Sequence, residues 1–192
     1  MKVIAFNGSP RKNGNTYQLL TMILDQLTQE DIQTELIQLG TKPIQGCIAC
    51  GKCREKQNQR CIIDNDAVNG WIEKMTIADG IILGSPTYCS SMTPNLKALI
   101  DRAGFVAKQN GNEMFKRKVG AAVVAVRRCG AAHVFSSINY FFLIHQMIIP
   151  GSSYWNQGIG LDPGDVADDK EGVETMIDLG QNIAWVLRKI KA

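Results

Sequence analysis

The 192-residue chain has no apolar run near the length of a bilayer crossing, and charge of neither sign dominates it. Its formal net charge is +3, with lysine and arginine scattered among acids, so the basic stripe of a polynucleotide binder is missing and no membrane-surface patch replaces it. The beginning of the sequence lacks a charged segment followed by a long apolar one, so no secretory leader is expected and the protein is taken as cytoplasmic. Only two histidines occur, His133 and His145, and nothing pairs them with a nucleophile or a metal set; both are read as structural. No repeat, low-complexity tract or linker divides the chain, which is read as one domain over 1–192 with a cysteine-rich loop inserted at about 41–65.

With 45% hydrophobic and 20% charged residues, the chain has ordinary globular composition, which sets aside disorder, fibre and coiled coil. Four short apolar runs, Val3 to Phe6, Thr34 to Leu39, Gly80 to Leu83 and Val119 to Val126, are near-continuous rather than alternating, the pattern of strands buried on both faces. Between them lie helical stripes: Leu19, Leu20, Ile23, Leu24 and Leu27; then Leu96, Leu99, Ile100 and Ala103; and in the tail Val173, Met176, Ile177, Ile183, Leu187 and Ile190. A fifth strand is needed after the helical region 131–147, and Met147 to Ser153 is the candidate. The alternation predicts an α/β fold: a doubly wound sheet of five parallel strands in the order 2-1-3-4-5 with helices on both faces. Ligands of such sheets sit outside the carboxyl ends of strands 1 and 3.

Two loops should therefore meet. The first, NGSPRKNGNT at 7–16, packs two glycines, small polar side chains and two cations between a strand and a helix that Asn15 or Thr16 would cap. Free N–H groups at the helix start, the Ser9 and Thr16 hydroxyls and Arg11 suit a phosphate, although an ordinary glycine-rich turn would look similar. A triphosphate loop needs Gly, four residues, then Gly-Lys-Ser/Thr, whereas Gly8 and Gly14 enclose five residues and precede Asn15. The G-x-G-x-x-G spacing of dinucleotide loops is absent as well, leaving a terminal monophosphate ester. The second loop, Gly84 to Pro94, is small and polar with one aromatic; the Thr87 and Tyr88 amides are expected to bond the polar edge of a planar ring, with Thr93 as cap and Pro94 at the first helical position.

The sequence resembles the NADPH-dependent FMN reductase branch of the flavodoxin-like superfamily, through GSPRKNGNT at 8–16, ADGIILGSPTY at 78–88 and PNLKALIDR at 94–102. The resemblance implies that Ser9, Arg11, Asn13, Asn15 and Thr16 hold the FMN phosphate, while Pro86, Thr87 and Tyr88 border the isoalloxazine. A third loop in this family covers the other side of the flavin, which places Arg127, Arg128 and Gly130 there. Either arginine would balance a reduced anionic flavin or attract nicotinamide nucleotide phosphates; a solvated basic loop is the alternative.

Cys47, Cys50, Cys53 and Cys61 form C-x2-C-x2-C-x7-C inside the stretch 41–65, which shows no secondary-structure period. The first three match the compact spacing that ferredoxins use for a cubane, whereas structural zinc more often takes two separated pairs. The chain thus also resembles the iron-sulfur flavoproteins, which implies a [4Fe–4S] cluster; vacant thiols or zinc stay open. Cys89 and Cys129 lie outside this group and are read as incidental, although Cys129 adjoins two arginines. Asp64 and Asp66 suit a capping role, and Tyr154 with Trp155 form an aromatic loop that could pack on a flavin, on a neighbouring subunit or on neither.

The expected function is an FMN-dependent oxidoreductase that takes hydride from NAD(P)H and passes electrons to an acceptor, through the cluster if one is held; no catalytic acid or base is required of the chain. Alternatives are a flavodoxin-type electron carrier without its own NAD(P)H activity and an FMN-bearing regulatory or scaffold protein. The expected partners are a nicotinamide nucleotide and an electron acceptor not specified by the sequence, in a homodimer or homotetramer, with no nucleic acid and no membrane.

Overall fold

The computed structural model describes residues 1–191. Five parallel strands, β1 (Lys2–Asn7), β2 (Gln33–Gln38), β3 (Gly80–Pro86), β4 (Val119–Val126) and β5 (Gln157–Ile159), lie in the order β2-β1-β3-β4-β5. The helices are α1 (Asn15–Gln29), α2 (Lys52–Lys56), α3 (Val68–Ile77), α4 (Pro94–Gln109), α5 (Ala131–Ile144) and α6 (Lys170–Lys191). Adjacent side chains of a strand go to opposite faces, and the near-continuous apolar runs feed two cores. Val3, Ala5, Ile82, Val119, Ala121 and Val123 pack with the apolar stripes of α1 and α6. Ile4, Phe6, Ile81, Leu83, Ala122 and Val124 pack with α3, α4 and α5 on the other side. No helix among the described residues is long and apolar enough to cross a membrane.

Two strand expectations need correction. β2 lies at the sheet edge and is only partly covered, rather than buried on both faces. The fifth strand is Gln157–Ile159, not 147–153. The earlier segment does begin the pairing: Ile148 N–H donates to the Lys118 carbonyl at 2.9 Å and its own carbonyl accepts from Gly120 N–H at 2.9 Å. The next donor of a parallel ladder would come from residue 150, which is proline and has no N–H, so the chain leaves the sheet. Asn156 brings it back, its Nδ2 donating to the Ala122 carbonyl at 3.0 Å and its carbonyl accepting from Val124 N–H at 2.9 Å.

His145 ends α5 at 2% exposure, with Nδ1 at 2.6 Å from Asn112 Oδ1 and its ring against Phe115 and Phe141. The structural reading of this histidine fits. Burial, aided by the Lys108 charge, pushes its pKa down to about 4. The unfolded side chain binds its proton near 6.5, so the unfolded state is favoured as pH falls between 6.5 and about 4. Stability should be intact above this window and fall by up to about 3 kcal/mol across it. Urea unfolding at stepped pH checks this; His145→Gln should flatten that part of the profile.

Candidate functional site

The carboxyl ends of β1 and β3 are stitched together. Gly8 N–H donates to the Gly84 carbonyl at 2.8 Å, and the Thr93 hydroxyl at the start of α4 donates to the Gly8 carbonyl at 2.8 Å. A Cβ on Gly8 would lie 2.7 Å from the Gly84 carbonyl oxygen, so this crossing requires glycine. The first loop is braced from below by Asn7, whose Oδ1 accepts from Ser9 N–H, and by Gln38, whose Nε2 donates to the Ser9 carbonyl at 2.6 Å. The two loops thus converge, and a cavity of about 210 Å³ opens between them.

Ser9, Arg11, Asn15, Thr16, Pro86, Thr87, Tyr88 and Arg127 all reach this cavity, joined by Ala125, Gly160 and Leu161. Asn13 and Arg128 do not; both point to solvent. Gly130 stands behind it at φ +90°, where a Cβ would meet the Ser90 hydroxyl at 2.6 Å and the Thr87 methyl at 3.1 Å. Its glycine identity lets the third loop press on the second.

The chemistry of the cavity is read from what its polar atoms lack. Thr16 and Thr87 each bury a hydroxyl oxygen with no hydrogen-bond partner in the protein. Such orphans are costly in an empty fold and are normally explained by a bound group. The Ser9 hydroxyl oxygen accepts from Arg11 N–H at 3.1 Å, which leaves its proton free to donate. Neither Asn15 nor Thr16 caps α1: Gly14 holds the N-cap position and has no side chain to cap with, while Asn15 Oδ1 accepts from Gly164 N–H at 2.8 Å. The uncapped amides of α1 therefore remain available at the positive end of its dipole.

A second correction concerns the β3–α4 loop. The Thr87 and Tyr88 amides do not face a ligand edge: Thr87 N–H donates to the Ala125 carbonyl at 2.9 Å and Tyr88 N–H to the Ser91 carbonyl at 2.9 Å. Residues 88–91 form a two-residue hairpin with Cys89 and Ser90 at φ 47° and 58°, a turn that favours Asn-Gly. Pro86, Thr87 and Tyr88 line the cavity all the same.

The four cysteines of the loop share the wall of a separate cavity of about 220 Å³, together with Arg102, Phe105, Val106 and Gln109 of α4. Cys47, Cys53 and Cys61 are half-buried and Cys50 is exposed. Burial pushes the Cys53 thiol above its ordinary range. Among the described residues no three His, Cys, Asp or Glu side chains close around one ion; the four cysteines line a cavity instead. Both ends of the loop are tied to one face of α4. Asn95 Nδ2 donates to the Gly40 and Lys42 carbonyls at 3.0 and 3.1 Å, and two turns later Arg102 bonds the Gln45 and Ile63 carbonyls and Asp66. Asn69, buried in α3, accepts from Cys61 N–H at 2.8 Å and donates back to its carbonyl at 2.9 Å. Asp66 does serve a helix start, its Oδ1 accepting from Val68 N–H.

Tyr154 and Trp155 touch neither cavity. They stack with Phe135 over a third hollow between α5 and the 149–156 loop.

Residues 1–161 match the family of NADPH-dependent FMN reductases. The chain belongs to this family. In agreement, it is 39% identical over 203 residues to an iron-sulfur flavoprotein of Methanocaldococcus jannaschii, with all of both chains covered. An iron-sulfur flavoprotein of Methanosarcina thermophila is 32% identical over 193 residues, covering 100% of this chain and 97% of the other. Solved structures share the fold at low identity. RosB, solved with a riboflavin-phosphate intermediate, superposes with a TM-score of 0.74 at 16% identity, covering 100% of this chain and 80% of its own. A flavodoxin from the Archaea gives 0.63 at 16% identity over 98% and 99%. This FMN reductase family member is thus flavodoxin-like and of a flavin-dependent oxidoreductase type. The residues that sequence reasoning passed over in it, Gln38, Asn69, Asn95 and Arg102, are polar side chains that fix loops from a distance; Asn95 and Arg102 lie within PNLKALIDR at 94–102, but nothing in that stretch reveals their distant partners.

Proposed function

We propose that the protein is an FMN-dependent oxidoreductase that takes hydride from NAD(P)H and passes electrons through a [4Fe–4S] cluster at Cys47, Cys50, Cys53 and Cys61 to a further acceptor. The observation that supports it most is the pair of orphaned hydroxyls, Thr16 and Thr87, buried in the cavity where the two loops meet. When bound there, FMN would supply hydride chemistry, and the cluster would supply one-electron steps. The chain's own part is orientation. Thr16 and Ser9 donate hydroxyl hydrogen bonds to a phosphate, Arg11 and the α1 amides offset its charge, and Thr87 fixes the group that extends toward Tyr88. Arg11 also donates to the Leu161 carbonyl at 3.3 Å, which ties the loop after β5 over the same cavity.

Four cysteines lining one hollow, with no three gathered about a single ion position, suit a polynuclear group better than the tight tetrahedron of zinc. α4 bears on both sites: Thr93 at its start holds the flavin loop, and Asn95 and Arg102 hold the cysteine loop. A homodimer or homotetramer is supported by the apolar side chains standing out from α4 and α5, Phe105, Tyr140, Leu143 and Ile144. The test is an absorption spectrum, iron and sulfide analysis and steady NADPH turnover on protein purified without oxygen. Flavin bands, bound iron and turnover are the expected result. Flavin without turnover would leave an electron carrier, and a colourless protein that takes up no FMN would defeat the proposal.

A further inference from the structure

Arg102 is the largest fully buried side chain among the described residues, with none of its side-chain surface exposed. A guanidinium is placed so deeply only when its donors are used, because a buried cation is otherwise severely penalised. Two of its nitrogens are used: one bonds Asp66 and the Gln45 carbonyl, the other the Ile63 carbonyl. The third, Nε, is buried and has no partner. Arg102 also lines the cavity that the four cysteines share. The four cysteine sulfurs are among the acceptors of that cavity wall, and Nε is left with no acceptor of its own.

We propose that Arg102 acts as a positioning and tuning residue, its Nε–H donating a hydrogen bond to a ligating thiolate of the iron–sulfur cluster. The inference rests on the reading of the cysteine loop as a cluster site and assigns one residue outside the cysteine motif a role in its electronics. Two terminal nitrogens fasten the loop on either side of the cysteines, at Gln45 and at Ile63 with Asp66, and so fix the bite of the ligands. Asp66 offsets the arginine charge, so Nε–H acts on the sulfur chiefly as a directed dipole. A hydrogen bond to a thiolate withdraws electron density from the iron and favours the reduced form.

The experiment uses the full chain loaded with iron and sulfide without oxygen, with arginine labelled by 15N. Pulsed EPR of the dithionite-reduced protein should show a weak nitrogen coupling that changes between 14N- and 15N-arginine and is lost in Arg102→Lys. In a redox titration, Arg102→Lys keeps the positive charge but loses Nε–H. It should need about a tenfold stronger reducing poise, equivalent to about 59 mV to the negative side for one electron. Asp66→Asn keeps Nε–H and removes a negative charge, so it should move the midpoint the other way. A loaded wild-type protein with no arginine nitrogen coupling overturns the inference. So does an unchanged midpoint in Arg102→Lys, or a shift of both variants in the same direction, as simple loosening of the loop would give. Should Arg102→Lys fail to load, the wild-type coupling alone decides. A wild-type protein that takes up no iron defeats the cluster reading itself, which is distinct from iron uptake without the coupling.

Discussion

Thr16→Val should weaken FMN binding by about ten- to a hundredfold while leaving the empty protein at least as stable as before. The hydroxyl it removes is buried and unpaired without a ligand, so losing it relieves a desolvation cost. Valine keeps the branched methyl that packs 3.0 Å from the position a Cβ on Gly84 would take, so α1 stays seated on β3. With phosphate present, the same hydroxyl makes a hydrogen bond to a charged group, worth about 1.5–3 kcal/mol, which sets the predicted loss. Quenching of FMN fluorescence by the apoprotein gives the affinity, and a thermal melt without flavin gives the stability. The opposite signs of the two readouts carry the prediction. Equal affinity for both proteins would remove the phosphate from this cavity.

Cys53→Ser should abolish iron and sulfide retention while FMN binding persists. Cys53 lies in the first turn of the short helix α2 and lines the shared cavity, half-buried, against the Phe105 carbonyl of α4. Serine is close in size, and its hydroxyl is a poor ligand for iron beside three thiolates. The two cavities are lined by different residues, and α4, whose Thr93 and Asn95 reach toward the two loops, is left in place by the substitution. Unfolding free energy should change by less than about 1 kcal/mol, since no large apolar group is removed. The check is metal and sulfide analysis with flavin content on the same anaerobic preparation. Simultaneous loss of flavin would show that the cysteine loop supports the flavin site, contrary to the separation of the cavities.

Much of this arrangement was written in short-range pattern. Near-continuous apolar runs announced strands covered on two faces, and the stripe of Leu19, Leu20, Ile23, Leu24 and Leu27 announced α1, because both depend on spacing along the chain. The meeting of residues 8–16 with 84–94 followed from strand order alone. What escaped was decided by partners far off in sequence. Met147 to Ser153 looked like a strand, but a single missing N–H at Pro150 ended its pairing, and Asn156 restarted it. The Thr87 amide looked free, yet it continues the ladder to Ala125. Arg102 closes the PNLKALIDR stretch with no sign there of its partners, and only the fold buries it beside Asp66 and the cysteines. Asn69 and Asn95 were illegible for the same reason: their acceptors and donors are loop backbone groups with no periodicity.

The interruption at Pro150 also bears on how the molecule behaves in a crowd of its own kind. A sheet margin with an unbroken row of donors and acceptors invites a foreign strand to continue it. Along β4 that row is taken up piecemeal, first by Ile148, then by the Asn156 amide, then by three residues of β5. The margin left facing outward is β5 itself, three residues long and too short a row to template an incoming strand.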